Sequence, residues 1–208
     1  MIIGITQRVD KIDSYNEYRD SLDQRLIDWV IKSGFLPVPI PNTLVSLHNQ
    51  NHTDLLNWIQ KIKINAILLS GGNDIGDIKH RDLTEKYLLS WAEKNKKPVL
   101  GICRGMQMMG IYSGVSLKEV GGHIKTKHRL LFEKKHKLFL PSTVNSFHNF
   151  SLDQCPEKFD ILARSEAGDI EAIKHMSLPW EGWMWHPERE SSFNEIDTMR
   201  LKKIMYDK

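Results

Sequence analysis

The sequence has little cysteine, little net charge and no long apolar run. Its 208 residues include two cysteines, Cys103 and Cys155, which argues against a disulfide-stapled secreted domain and favours a reducing compartment. No signal-like N-terminal segment or membrane-length apolar stretch is present, so we expect a cytoplasmic protein that does not bind a membrane. A formal net charge of +3 is too small to indicate nucleic-acid binding.

The distribution of apolar residues predicts an α/β fold. Apolar residues make up 40% of the chain, enough for one substantial core, and we expect residues 1–208 to form a single domain. Strand-like runs at 1–6, 35–40, 65–70 and 99–102 alternate with amphipathic helix-like runs, which favours a mostly parallel sheet flanked by helices. After about Gly121 short strand-like pieces predict a small antiparallel extension, followed by a helix over about 194–206.

The most informative segment is PVLGICRGMQ at 98–107, an apolar strand that turns sharply into a helix at Cys103. Gly101 and Gly105 flank the cysteine and would allow a tight turn with the nucleophile in a strained conformation. The N-terminal end of the helix would favour thiolate over thiol. A lone cysteine is often just buried packing, but the two glycines favour a nucleophile here.

A thiolate nucleophile needs a base and a group that orients the base. The segment WMWHPE at 183–188 supplies His186 and, two residues later, Glu188. Alternate residues of an extended chain point to the same side, and Pro187 biases His186 away from helix. We therefore expect the Glu188 carboxylate to fix the tautomer of His186 and to stabilise its charged form.

Backbone amides are the predicted donors for the oxyanion. A strand over 65–69 runs into SGGND at 70–74, where glycine can turn N–H groups into a pocket. We predict that the amides of Gly72 and Arg104 form the oxyanion hole. A phosphate cradle is the weaker alternative, because no Gly-Lys-Ser/Thr follows the glycines.

These motifs together resemble the class I glutamine amidotransferases, and within them the γ-glutamyl hydrolase branch. The similar segments are GICRGMQ, SGGND, WHPE, Arg81-Asp82 and VNSFH at 144–148, in the expected order along nearly the whole chain. The resemblance implies a flavodoxin-like fold, the catalytic set Cys103, His186 and Glu188, and no cofactor. It also implies that Gln107, Ser146 and His148 lie near the bound glutamyl group, and Gly71, Asn73 and Asn145 are further candidate substrate contacts. The sequence differs from the motifs of this branch at residues 75–76 and 183–185. The part of the pocket that would contact the leaving group is therefore not predicted by the resemblance.

A basic run offers a second candidate binding region. Residues 118–137 contain seven lysines or arginines and the histidines His123, His128 and His136, and they form either a solvated face or an anion subsite. In the second interpretation a phosphate or pyrophosphate meets Lys125, Lys127, His128 and Arg129. Arg8, just beyond the first strand, either reaches the site as a substrate contact or is an ordinary exposed arginine. The histidine spacings match no compact zinc pattern, so no metal is expected.

The expected reaction is hydrolysis of a γ-glutamyl amide through a γ-glutamyl thioester, with release of glutamate. The leaving group stays open: ammonia passed to a separate synthetase, an amine such as γ-aminobutyrate, or a nucleotide amidate. Segments at 4–8, 145–148 and 184–190 are similar to members of the branch that hydrolyse γ-glutamyl-CDP-amidate in bacterial capsule phosphoramidate synthesis, releasing cytidine diphosphoramidate. That anionic substrate is the preferred expectation, and a non-catalytic partner-binding protein is the remaining alternative.

Overall fold

The computed structural model describes residues 1–48, 52–133 and 140–206. The helices are α1 (Gln24–Lys32), α2 (Thr53–Ile62), α3 (Lys79–Lys94), α4 (Arg104–Tyr112) and α5 (Glu195–Tyr206). The strands are β1 (Ile2–Thr6), β2 (Arg8–Ile12), β3 (Glu17–Ser21), β4 (Leu36–Ile40), β5 (Ala66–Leu69), β6 (Val99–Ile102), β7 (Leu117–Glu119), β8 (Ile124–Arg129), β9 (Leu131–Phe132), β10 (Thr143–Phe147), β11 (Phe150–Leu152), β12 (Phe159–Arg164), β13 (Ile170–His175) and β14 (Trp180–Trp183).

An eight-stranded sheet forms the centre of the molecule, in the order β4-β1-β5-β6-β14-β13-β12-β9. The first five strands of this order run parallel to their neighbours. The remaining three pair antiparallel, which confirms the predicted α/β sheet with an antiparallel extension. Three two-stranded sheets, β2–β3, β7–β11 and β8–β10, complete the described fold.

The predicted helices form because each presents an apolar stripe to this sheet. In α1, Leu26, Trp29 and Val30 recur at helical spacing and are buried. The Asp23 side chain accepts a hydrogen bond from the Arg25 amide at 2.9 Å and begins the helix. Gly34, with φ of 88°, lies just beyond the helix end, where the sequence places it.

Two glycines let helix α4 pack directly on the sheet. A Cβ on Gly105 would lie 2.2 Å from the carbonyl oxygen of Leu69 in β5, and one on Gly101 would lie 2.6 Å from the carbonyl carbon of Gly105. Neither glycine has a positive φ, so close approach, and not the turn itself, requires them. The N-terminus of α4 is thereby held at the carboxyl ends of the parallel strands, where open α/β sheets build their sites.

The hairpin β2–β3 and strand β8 are absent from the sequence-based prediction. Most of their residues are exposed, so the alternation that identifies a half-buried strand is missing. His136 and the rest of the basic run beyond residue 133 lie outside the described residues. No helix in the described ranges is long and apolar enough to cross a bilayer.

Candidate active site

Cys103 sits at the strand-to-helix elbow in a strained backbone conformation. Its φ of 51° and ψ of −105° lie outside the regions that non-glycine residues ordinarily adopt. The strain is held by a hydrogen bond from the Cys103 amide to the Trp183 carbonyl at 2.7 Å. The side chain is 6% exposed and lies at the N-terminus of α4, where the helix dipole favours an anion.

His186 and Glu188 form a buried pair. The distance from His186 Nδ1 to Glu188 Oε1 is 2.7 Å. The predicted pairing is present, but the extended-chain argument for it is wrong at its second residue: Pro187–Arg189 form a 3-10 turn. His186 itself is extended, as a residue before proline should be, and the turn brings the carboxylate back to the ring.

The surroundings of His186 favour its charged form. Burial alone would lower the pKa of the ring, but the charges of Glu188 and Cys103, and hydrogen bonds with both, raise it to about 9. A histidine ring in its charged form stabilises a neighbouring thiolate. The arrangement of Cys103, His186 and Glu188 is therefore suited to an ion pair between the cysteine and the histidine.

Three neighbours fix the position of the His186 ring and backbone. Asn145 Nδ2 donates to the His186 carbonyl at 2.8 Å, and the His186 amide donates to Asn145 Oδ1 at 3.0 Å. The Phe147 ring meets the imidazole edge-on, with centroids 5.8 Å apart. A Cβ on Gly71 would lie 2.6 Å from His186 Cε1, so glycine is required there. Asn145 holds the histidine, and its predicted contact with a substrate stays a prediction.

Arg81 organises the loop that carries the predicted oxyanion donors. Its guanidinium donates to the carbonyls of Ser70 at 2.7 Å and Gly71 at 3.0 Å, and also to that of Gly72. In a trans peptide the C=O and the following N–H point in opposite directions. The amides of Gly71 and Gly72 therefore point away from Arg81, which is the orientation that an oxyanion hole needs.

Side chains beneath this loop form a buried charge cluster. The Arg104 side chain pairs with Asp82 and Glu85, so only its backbone amide is available to a substrate. Arg81 pairs with Glu85 at 3.1 Å. Burial opposes the charge on Glu85, but the two guanidinium groups lower the pKa of that carboxyl below its usual value. Burial lowers the pKa of Arg81 to about 10.

The Asn73 side chain ties the hairpin to the same loop. Asn73 Oδ1 accepts from the Val9 amide at 2.8 Å, and Asn73 Nδ2 donates to the Val9 carbonyl at 3.0 Å. One donated and one accepted bond to the same residue is the pattern of a backbone pair between two strands. These bonds hold β2 next to the loop after β5. The Asn73 side chain therefore forms a structural link, and its predicted contact with a substrate stays a prediction.

A cavity of about 260 Å³ opens beside the His186–Glu188 pair. Its walls come from the loop after β5, from the hairpin β2–β3 and from the turn after His186, and include Ser70, Gly71, Gly72, Arg8, Asp10, Ser21 and Arg189. The Arg8 side chain is 47% exposed and pairs with Asp10 at 2.9 Å. The Arg189 guanidinium stacks over Phe147, 4.5 Å from the ring centroid. Two arginines therefore border the space next to the catalytic candidates.

The predicted anion subsite from the basic run has a different location. Lys125 and Arg129 are exposed on β8. Lys127 pairs with Glu190 at 2.7 Å and lines a separate cavity that also includes Asp197. His128 faces inward, with Nε2 at 3.6 Å from Glu171 Oε2. The four residues do not share one surface, and their binding of an anion stays a prediction.

The remaining predicted glutamyl contacts lie around a buried carbonyl and a group of histidines. Gln107 Nε2 donates to the Phe150 carbonyl at 2.8 Å, and His148 Nδ1 lies 3.1 Å from the same oxygen. Ser146 Oγ lies 3.1 Å from His123 Nδ1. Their contact with a glutamyl group stays a prediction.

Sequence reasoning gives no role to several residues that shape the site. Arg81 stands out in the sequence only as part of a motif, and its contacts depend on the fold. Arg189 follows Glu188 directly, so its proximity to the site is readable from the sequence. Glu171 lies at an unremarkable position in a strand, and nothing local to it indicates that histidines surround it.

The sheet order, the cysteine elbow and the loop after β5 are those of the class I glutamine amidotransferase fold. A solved structure from Thermoplasma acidophilum, described as a GMP synthase subunit, has a TM-score of 0.72 and 20% identity, covering 99% of this chain and 92% of its own. Residues 1–188 match the peptidase C26 family, and the chain belongs to that family.

Two proteins of described function are similar to this chain over about two thirds of its length or more. The γ-glutamyl-CDP-amidate hydrolase of Campylobacter jejuni is 34% identical over 212 residues, 96% of each chain. A subunit of the glutamine-hydrolysing GMP synthase of Methanocaldococcus jannaschii is 31% identical over 142 residues, 66% of this chain and 72% of its own. Family and relatives support a hydrolase acting on γ-glutamyl or glutamine amides.

Proposed function

We propose that this protein hydrolyses a γ-glutamyl amide through a thioester on Cys103. The observation that carries the proposal is that Cys103, strained at a helix N-terminus, neighbours His186, and that His186 Nδ1 lies 2.7 Å from the buried Glu188 carboxylate. These three residues supply the nucleophile, the base and the orienting group that nucleophilic acyl transfer requires.

In the first half-reaction the Cys103 thiolate attacks the δ-carbonyl of the glutamyl group. Negative charge develops on the carbonyl oxygen and is stabilised by the amides of Gly72 and Arg104. The carbon–nitrogen bond breaks as the His186 imidazolium gives its proton to the departing nitrogen. The products are a γ-glutamyl thioester on Cys103 and a free amine.

In the second half-reaction water replaces the amine. Neutral His186 takes a proton from the water, and the hydroxide attacks the thioester carbonyl at the same oxyanion site. The carbon–sulfur bond breaks, glutamate leaves, and the thiolate–imidazolium pair is restored. Glu188 keeps the ring in one orientation through both steps. The residues alone account for the proton and electron balance, so the proposal includes no cofactor.

Loss of the thiol tests this mechanism. Cys103→Ala should reduce glutamate release by about 10³-fold or more with the fold retained. Cys155→Ala is the matched control and should keep full activity, because Cys155 is half-buried and bonds only to the Phe159 carbonyl among its described contacts, at 3.2 Å. Glutamate release that survives Cys103→Ala would reject the assignment.

For the substrate, we propose γ-glutamyl-CDP-amidate, which would release cytidine diphosphoramidate. Support comes from the relative that matches over 96% of both chains and from the two arginines beside the cavity, which suit a pyrophosphate. Glutamate release is to be compared for glutamine, γ-glutamyl-γ-aminobutyrate and γ-glutamyl-CDP-amidate. A kcat/KM for the nucleotide substrate no higher than for neutral amides would reject this choice.

A residue-level test separates the anion site from the chemistry. Arg8→Gln should raise KM for γ-glutamyl-CDP-amidate about tenfold and leave turnover of neutral amides unchanged, since one ionic contact is lost. Arg19→Gln on the same hairpin, whose side chain pairs with Glu17 at 2.7 Å, is the control and should change neither value.

A glutaminase that serves a synthetase is the second candidate function. The similarity to a subunit of the glutamine-hydrolysing GMP synthase supports it. In this case the leaving group is ammonia and a separate synthetase receives it. Glutamine hydrolysis that rises only when a synthetase is added would favour this candidate over the free-standing hydrolase.

A further inference from the structure

Three histidines and one glutamate meet in the interior, on the antiparallel side of the sheet. His123 precedes β8, His128 lies on β8, His148 lies between β10 and β11, and Glu171 lies on β13. One nitrogen or oxygen from each of the four lies within 4.8 Å of every other. His123, His148 and Glu171 are at least nine-tenths buried, and the side chain of His128 is 12% exposed. We call these four residues the histidine cluster.

Four of the five inward atoms of the histidine cluster are unsatisfied, and the fifth, His123 Nδ1, lies 3.1 Å from Ser146 Oγ. Both carboxylate oxygens of Glu171 and the Nε2 atoms of His128 and His148 are buried without a hydrogen-bond partner in the described part of the chain. Glu171 lies 3.5 Å from His148 Nε2, 3.6 Å from His128 Nε2 and 3.8 Å from His123 Nδ1, each measured to its nearer oxygen. Buried polar atoms almost always have partners, so four orphaned atoms facing one point require a cause.

The hydrogen bonds of the outer ring nitrogens indicate whether the inner ring nitrogens carry a hydrogen or a lone pair. His148 Nδ1 lies 3.1 Å from the Phe150 carbonyl and His128 Nδ1 lies 3.2 Å from the Arg129 carbonyl. A carbonyl only accepts, so these nitrogens carry the hydrogens and a neutral ring turns a lone pair inward. His123 Nε2 lies 3.3 Å from the Asp169 carboxylate, with Nδ1 inward beside Ser146 Oγ. A carboxylate or carbonyl behind each ring is the usual arrangement for histidines that bind a metal.

Lone pairs and a carboxylate that face one another repel unless a cation lies between them. A shared proton would bring a nitrogen and an oxygen to about 2.8 Å. Zinc bonds of about 2.0–2.2 Å in a tetrahedron place neighbouring ligand atoms roughly 3.3 Å apart, closer to the observed separations.

We propose that His123, His128, His148 and Glu171 bind a divalent transition metal ion, with zinc the ion that four nitrogen and oxygen ligands favour. The ion joins the β8–β10 sheet to the central sheet. Because β10 also carries Asn145 and Phe147, which hold His186, the ion fixes the position of His186 from a distance. Its binding depends on these four side chains and does not depend on the proposed reaction.

Zinc titration of the tag-free chain tests the proposal. The experiment uses Cys103→Ala protein, because Cys103, His186 and Glu188 are themselves able to bind zinc. After removal of metal with a chelator, elemental analysis and competition with a chromophoric chelator should give one zinc per chain and a higher unfolding temperature on zinc addition. Cobalt should give visible d–d bands without a thiolate charge-transfer band.

Variants assign the ion to these residues. Glu171→Gln and His148→Gln should each weaken zinc binding at least tenfold, whereas His175→Gln, at a buried histidine outside the histidine cluster, should leave it unchanged. Circular dichroism checks the fold of each variant. Less than half an equivalent of zinc bound by the Cys103→Ala chain, or unchanged affinity in a folded Glu171→Gln variant, would overturn the proposal.

Discussion

At the scale of single residues, the site depends on one strained backbone conformation and on one position with room only for glycine. Cys103 has a φ of 51°, and a Cβ at Gly71 would nearly touch the His186 ring. Strain of this kind persists only where the surrounding structure over-determines it. The exposed turn at Gly121 has no such constraint, since a Cβ there would meet no atom within 4 Å.

The contact at Gly71 leads to a direct prediction. Gly71→Ala adds a methyl group 2.6 Å from His186 Cε1, so the ring must move. Because a displacement of about 1 Å in a catalytic group can cost on the order of 10²-fold, kcat/KM should fall at least tenfold. Gly121→Ala should leave activity unchanged. Equal activity in both variants would show that the imidazole position is not critical.

The raised pKa of His186 predicts that the free energy of unfolding depends on pH. The pKa rises from its ordinary value of 6.5 to about 9, so the folded state binds the proton more tightly than the unfolded chain. The stabilisation is complete below about pH 6.5 and is lost as the pH rises through 9. Glu188→Gln removes one of the charges that raise the pKa, so the unfolding free energy should decline less steeply over this range in denaturant titrations.

The same substitution should also lower kcat by about 10²- to 10⁴-fold, because the ring loses its orienting carboxylate. Glu166→Gln, at an exposed position, is the control and should match the unmodified chain in both measurements. A Glu188→Gln variant with full kcat would remove Glu188 from the mechanism.

At the scale of elements, the loop after β5 is shaped by an arginine on α3. Arg81 bonds to three successive carbonyls of residues 70–72 and thereby directs the intervening amides to the opposite side. A planar guanidinium supplies several donors in fixed directions, which a lysine ammonium cannot reproduce. The predicted oxyanion loop is thus held by a side chain that lies on the opposite side of the loop from those amides.

Arg81→Lys tests this arrangement. The charge beside Glu85 is kept, but the loop loses donors, so kcat should fall by about 10²-fold with a much smaller change in KM. Arg164→Lys, at a pair between Arg164 and Glu133 on the surface, should alter neither. If KM rises and kcat is unchanged, Arg81 orients the substrate instead of the oxyanion loop.

The elements also show what a sequence can and cannot predict. Strands β1, β5 and β6 follow from short continuous apolar runs, because nearly all of their residues are buried. Helices α1 and α3 follow from apolar residues at helical spacing, because each helix buries one face. The hairpin β2–β3 has no such pattern and depends on Asn73 for its position. The catalytic candidates lie in local motifs, whereas the histidine cluster draws on residues far apart in the chain, so neither periodicity nor spacing reveals it. The sequence-based expectation of no metal rests on that spacing.

At the scale of the whole molecule, the two halves of the sheet have different roles. The parallel strands present the elbow and the loop at residues 70–74 at their carboxyl ends, and the histidine cluster lies on the antiparallel side. Helix α5 is tied to the residue before His186 through Asp197, whose carboxylate accepts from Trp185 Nε1 at 3.2 Å. Burial raises the pKa of Asp197 from 3.8 to about 7.

This buried carboxyl makes global stability depend on pH. Between about pH 4 and 7 the unfolded chain ionises at Asp197 while the folded chain does not, so this group's contribution to stability falls as pH rises. Asp197→Asn should therefore unfold at a higher temperature than the unmodified chain at pH 8, and at a similar temperature at pH 4. Asp153→Asn, at an exposed position, should show no such difference.

Labelling with a diazoketone analogue of glutamine, which alkylates a nucleophile at the glutamyl site irreversibly, tests the central claim most directly. Peptide mass spectrometry of the inactivated protein should find one label per chain, on Cys103, in proportion to the activity lost. A label on Cys155, or full activity after complete modification of Cys103, would contradict the thioester mechanism.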